Sequence, residues 1–188
     1  MRASVAETDR YPADVALRRQ PAQPVVRTSV GFRINLDADE RAMLRHLLGE
    51  LRDLLLAGGD QPALRRLTPP AYHLADDAEA EAEYQRLMAD DLVASRLAGL
   101  QSCMLFLDPE QSKATAIDVT EEQILGFLQV VNGVRLVLGT MLDVSEDDDP
   151  QDISKRDPNF GQHQLYGYLG YLVDVTVRAL GDPTSGAD

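Results

Sequence analysis

The sequence predicts a mainly α fold: a helical bundle of about four helices with a small two-stranded β-ribbon. Three observations predict it. Apolar residues recur every three or four positions over four long stretches, as on amphipathic helices. Two of those stretches open on a capping box. Two short segments alternate polar and apolar residues at the strand period, and a ribbon of two strands must lie on the helices to be stable.

Residues 1–24 are charged, contain Pro12, Pro21 and Pro24, and read as a loose tail. A single helical domain is expected over 25–181, followed by a tail over 182–188. Val26, Thr28, Val30, Phe32 and Ile34 alternate with Arg27, Ser29, Gly31 and Arg33, which predicts one strand. Asp37 then caps a helix with Glu40 in the reciprocal position. Met43, Leu44, Leu47, Leu48, Leu51, Leu54 and Leu55 form its apolar face, and Gly58-Gly59 ends it. Residues 60–76 are expected to be loop, because Pro62 and Pro69-Pro70 oppose a helix. A second helix opens near Asp76-Asp77 and stops at Asp108-Pro109, since the residue before proline avoids helical angles. Lys113–Val119 alternates again and is the expected partner of the first strand. Thr120-Glu-Glu-Gln123 opens a third helix that reaches about Leu142. Its inner face is expected at Ile124, Leu128, Val131, Leu138 and Leu142, widened by Phe127, Val134 and Val137. The last helix is expected over about Gly161–Leu180.

Composition narrows the function classes. The 188 residues are 44% hydrophobic, enough to bury a core without disulfide or metal. Thirty-one acidic residues against 18 basic ones give a net charge of −13. Such a surface repels phosphate backbones and anionic lipid, so direct nucleic-acid binding is not expected, and Arg65-Arg66 is too small a basic cluster to reverse this. Aromatics are 5% and tryptophan is absent, which argues against a stacking platform for single strands. A positively charged protein partner fits better. The first twenty residues lack the apolar core of a signal peptide, and no apolar run is expected to reach the roughly 20 residues of a membrane helix. With a single cysteine, these features predict a soluble cytoplasmic protein with no membrane partner.

Few residues offer chemistry. Asp147, Asp148, Asp149 and Asp152 lie in an acidic loop, but Pro150 interrupts it and the spacing of a calcium loop is missing. His46, His73 and His163 are scattered and lack the spacing of a helical zinc pair. No metal, cofactor or catalytic residue is therefore expected. Cys103 follows Leu100 by three and precedes Leu107 by four, so all three share a helix face. It reads as core filler, with a redox role as the alternative. Asn132, Arg135 and Asp174 are expected to form a buried polar network, because an arginine facing a core must be paired. The alternative there is an anion or partner site. Tyr166, Gly167, Tyr168, Gly170 and Tyr171 suggest either close helix approach or a tyrosine-lined interface, including that of a homodimer.

The stretch Val131-Asn-Gly-Val-Arg-Leu-Val-Leu-Gly-Thr-Met-Leu-Asp-Val-Ser-Glu146 reads N-x-x-R-L-x-L-G-T-x-L-x-V-S-E. With the Asp37–Leu55 helix before it and Tyr166-Gly-Tyr-Leu-Gly-Tyr-Leu172 after it, the chain resembles an actinobacterial family of domains of unknown function, number two-thousand-and-seventeen, over roughly Arg27 to Leu180. The resemblance implies a small, mostly helical cytoplasmic protein with no established catalytic activity. It also implies a link to oxidative-stress regulation through cysteine pairs and sigma-factor contact. This chain departs from that pattern, since Gly99 and Leu107 flank Cys103 where a second cysteine would stand. The expectation is a non-enzymatic regulatory protein acting through a protein partner, such as a transcription component. The alternatives are a redox-responsive regulator using Cys103, and a small-molecule binder or enzyme with a pocket near Arg135.

Overall fold

The computed structural model describes residues 23–59, 62–67, 78–108, 116–145 and 153–181, with only the helical backbone described over 78–90. The expected tails, apart from residues 23 and 24, lie outside these residues, as do the acidic loop at 146–152 and His73. Three strands and five helices follow in order: β1 Val25–Thr28, β2 Gly31–Asn35, α1 Ala38–Ala57, α2 Pro62–Leu67, α3 Ala78–Phe106, β3 Ala116–Val119, α4 Glu121–Met141 and α5 Phe160–Gly181. The protein is mainly α with a small antiparallel sheet, ordered β1-β2-β3.

The ribbon has three strands rather than two. The alternation that runs unbroken from Val26 to Ile34 is folded in half at Ser29-Val30, so that Val25 pairs with Ile34 and Thr28 with Gly31. Val30 caps the turn at 91% exposed, although the alternation places it with the apolar set. Gly31 has φ +157°, and a Cβ there would stand 2.6 Å from the Val119 carbonyl oxygen, so β3 can approach only a glycine. The inner face carries the rows Val25–Ile34–Ile117 and Phe32–Val119, all buried. Arg27 sits over the Phe32 ring at 5.2 Å and donates from Nη1 to the Leu180 carbonyl at 3.2 Å, which ties the sheet edge to the end of α5. On the outer face Arg33 and Asp118 form an exposed ion pair at 2.7 Å.

Both expected capping boxes are formed. Asp37 accepts from the backbone N–H groups of Asp39 and Glu40, while Glu40 accepts from the Asp37 N–H at 2.8 Å. Thr120 and Gln123 make the same reciprocal pair on α4. The expected loop contains α2, because Pro62 stands at its first position, where a missing N–H costs nothing. Arg96 of α3 donates from Nη2 to the carbonyl of Leu67, the last residue of α2.

Helix α4 is central and packs on α1, α2, α3, α5 and β2. Its buried residues are Ile124, Phe127, Val130, Val131, Gly133 and Val134: Ile124, Phe127, Val131 and Val134 are on the expected face, and Val130 and Gly133 extend it to one side. Leu128, Leu138 and Leu142 are only half-buried. Nearly every stripe of this helix is apolar, so periodicity selects the inward one only in part. The same composition makes α4 long and apolar enough to cross a membrane, against the expectation that no apolar run reaches that length, and 33% of its most apolar stretch is buried inside the fold.

Candidate functional site

Arg135 lies on α4 just beyond Val134, the last of its buried residues. Its side chain crosses to α5 at Gly170, where a Cβ would stand 3.4 Å from Arg135 Nε. One turn earlier on α5, the Tyr166 ring lies 4.8 Å from the guanidinium carbon, and its hydroxyl oxygen accepts from Nη2 at 3.0 Å. Tyr166 in turn packs on Gly139 of α4, where a Cβ would stand 2.8 Å from the ring. Each helix thus supplies a glycine that receives the long side chain of the other.

The expected polar network is not what surrounds Arg135. Asp174 pairs instead with Arg178 at 2.8 Å on the exposed face of α5, where an i, i+4 partner on its own helix spares it desolvation. Asn132 is half-buried, and among the described residues no hydrogen bond joins it to Arg135 or Asp174. No described carboxylate lies within 4.0 Å of the Arg135 guanidinium, whose Nε is sealed from solvent without a partner.

The tyrosines do not share a groove. Successive positions turn by about 100° around a helix, so Tyr166 faces away from Tyr168 and Tyr171, which stand about 60° apart. Tyr166 meets α4, and Tyr168 donates to Glu40 Oε1 of α1 at 2.8 Å. Burial, and then the Glu40 charge, push the Tyr168 hydroxyl far above its ordinary pKa. Tyr171 is exposed, as is Gly167, with nothing near the place of its missing Cβ. Of the two expected roles for the glycines, Gly170 accommodates a neighbour and Gly167 does not. The Glu40–Tyr168 bond carried no sequence signal, since 128 residues separate its ends.

Cys103 is 1% exposed in the core beside Leu100 and Leu107. Burial pushes its thiol up to about 12, away from the reactive thiolate. His46 is exposed on α1 next to Glu50, and His163 is half-buried on α5. Among the described residues no three His, Cys, Asp or Glu side chains are grouped to hold a metal ion. A small cleft lies between Leu51, Leu55, Leu67, Arg96, Val130 and Gly133, with room for about one water molecule. Arg135 does not line it.

Beyond Val134, α4 changes character. Arg135 through Thr140 are all half-buried, Met141 is 73% exposed and Leu142 is half-buried. The segment Leu-Val-Leu-Gly-Thr-Met-Leu is therefore an apolar helix end that the described fold covers only in part.

The model of a family described as "Domain of unknown function (DUF2017)" matches residues 22–180, from just before β1 to the last turn of α5. The chain belongs to the DUF2017 family. No curated protein and no solved structure matches it. The family match takes in every element of this DUF2017 protein, the α4–α5 contact included. The chemistry available at that contact is recognition: a guanidinium and a phenol at the edge of an apolar helix end.

Proposed function

We propose that this DUF2017 protein is a non-enzymatic, protein-binding regulator that receives its partner on the C-terminal half of α4. One observation carries the reading: the fully buried positions of the most apolar helix end at Val134, and the two turns beyond it are only partly buried, with Met141 73% exposed. Contiguous exposed apolar surface marks interaction sites in soluble proteins. A transcriptional or stress-response role in the cytoplasm, reached through such a partner, is the finer form of the proposal. The redox alternative finds no support in the surroundings of Cys103, which is buried and held as a thiol. Arg135 does not line the small cleft between the described residues of α1, α2, α3 and α4, so that cleft does not support the pocket alternative.

A photo-crosslinking residue placed at Met141 in the native host tests the proposal. Discrete adducts at 141, absent from a probe at exposed Glu122, are expected. Met141→Glu, which adds a charge at an exposed position, should prevent the same partner from being captured through a probe at neighbouring Leu138. Equal labelling at 141 and 122 would refute the reading.

A further inference from the structure

We infer that Arg135 and Tyr166 form an anchor for a carboxylate, so that the partner segment docked on α4 is apolar and carries one aspartate or glutamate. The inference rests on the docking role proposed for the end of α4. It runs against the first expectation from a net charge of −13, which favours a basic partner.

The Arg135 charge has no compensating carboxylate among the described residues. In a chain with 31 acidic and 18 basic residues, each arginine has ample choice of carboxylates. Arg33, Arg45, Arg52 and Arg178 take one, while Arg27 and Arg96 donate to the backbone carbonyls of Leu180 and Leu67. Arg135, half-buried, has only the neutral phenol of Tyr166 among the described residues. Its Nη2 donates to Tyr166 and its Nε is sealed, while Nη1 has no described partner and is not among the sealed atoms. One edge of the fork is therefore open. The Tyr166 hydroxyl accepts from Arg135 and keeps its own proton, which has no acceptor among the described residues. A carboxylate at this edge receives an N–H from the guanidinium and the O–H of the phenol. Both are charge-assisted bonds, roughly twice as strong as neutral ones.

The anchor is held before any ligand arrives. Gly170 fixes where the arginine crosses and Gly139 fixes the ring. Such preorganisation reduces the ordering cost of binding. The surroundings decide what kind of anion fits. Leu136, Val137, Leu138 and Leu142 are partly buried on the same helix end as Arg135, and Met141 is exposed. A hydrated inorganic anion gains nothing from them. A peptide whose acidic residue is flanked by apolar side chains gains from both.

The test is a displayed library of helical peptides with leucine at i, i+3, i+4 and i+7 and the other positions random, selected on wild type, Arg135→Met and Tyr166→Phe. Tyr166→Phe keeps the stacked ring and removes only the hydroxyl, so it remains informative if Arg135→Met unfolds. The expected result is an acidic residue enriched at one position on wild type and not on the variants. Changing it from Glu to Gln in the winning peptide should weaken binding about tenfold, or about 1.4 kcal/mol. If wild type and both variants select the same sequences, and Met141→Glu abolishes selection, the docking surface stands and the carboxylate anchor is wrong. If no peptide is enriched on wild type, the docking surface fails and the anchor fails with it.

Discussion

At the scale of single residues, Cys103 and Arg135 behave in opposite ways. The position of Cys103 was legible: two leucines at helical spacing define its face, and that face is buried. The chemistry follows. The thiol is pushed from 9.0 in an open chain to about 12 by burial, so the folded state holds its proton where the unfolded state releases it. The unfolded chain then binds fewer protons above pH 9, and stability falls as pH rises from about 9 toward 12. Below pH 9 the contribution is fully present. Wild type should lose stability relative to Cys103→Ala in denaturant melts across that window, while the two keep a constant offset between pH 6 and pH 8. Native thiol alkylation at pH 8 should be far slower than after unfolding; equal rates would mean that the thiol is accessible. The partner of Arg135 was not legible. Asp174 lies between two valines and looks buried, but the cheaper solution is Arg178 on its own helix. In the sequence Tyr166 reads only as an interface residue, because a phenol's role as arginine partner leaves no mark there.

At the scale of elements, the starts of α1 and α4 were readable because a cap is local: Asp37 with Glu40, and Thr120 with Gln123, specify them within four residues. The hairpin was not, because Ser29-Val30 carries none of the Asn-Gly or Asp-Gly signals of a tight turn. The short α2 was hidden by a proline that starts it. The glycines of α4 and α5 give a paired prediction. Alanine stabilises an open helical position by up to about 1 kcal/mol relative to glycine. Gly167 is open, so Gly167→Ala should raise stability by about that amount. At Gly139 the new methyl would meet the Tyr166 ring at 2.8 Å. Gly139→Ala should instead cost about 1–3 kcal/mol, as overpacking does. It should also shift the Tyr166 ring NMR signals by more than Gly167→Ala does. The same sign for both substitutions would show that the ring does not sit on Gly139.

At the scale of the molecule, the helical class was legible because four amphipathic stretches must share one core, but the roll of α4 was legible only in part. A helix apolar on nearly all sides is oriented only by what surrounds it, and here five other elements do so. This arrangement also orders the stability of the parts. The Ile124–Val134 half of α4 cannot be exposed without opening the contacts of every surrounding element at once. Its amides should therefore exchange hydrogen only through global unfolding, with a steep dependence on denaturant. Helix α2 has six residues, too few to hold themselves, and is fastened through buried Leu67 and the Arg96 bond to its last carbonyl. Releasing it exposes less surface than global unfolding does. Its amides should exchange at least about tenfold faster than those of α4, with almost no denaturant dependence. Arg96→Met, which removes the bond to the Leu67 carbonyl, should speed exchange in α2 and leave the central α4 amides tied to the global transition. If α2 and α4 instead exchange at one rate with one denaturant slope, α2 is part of the same cooperative unit and the ordering argued here is wrong.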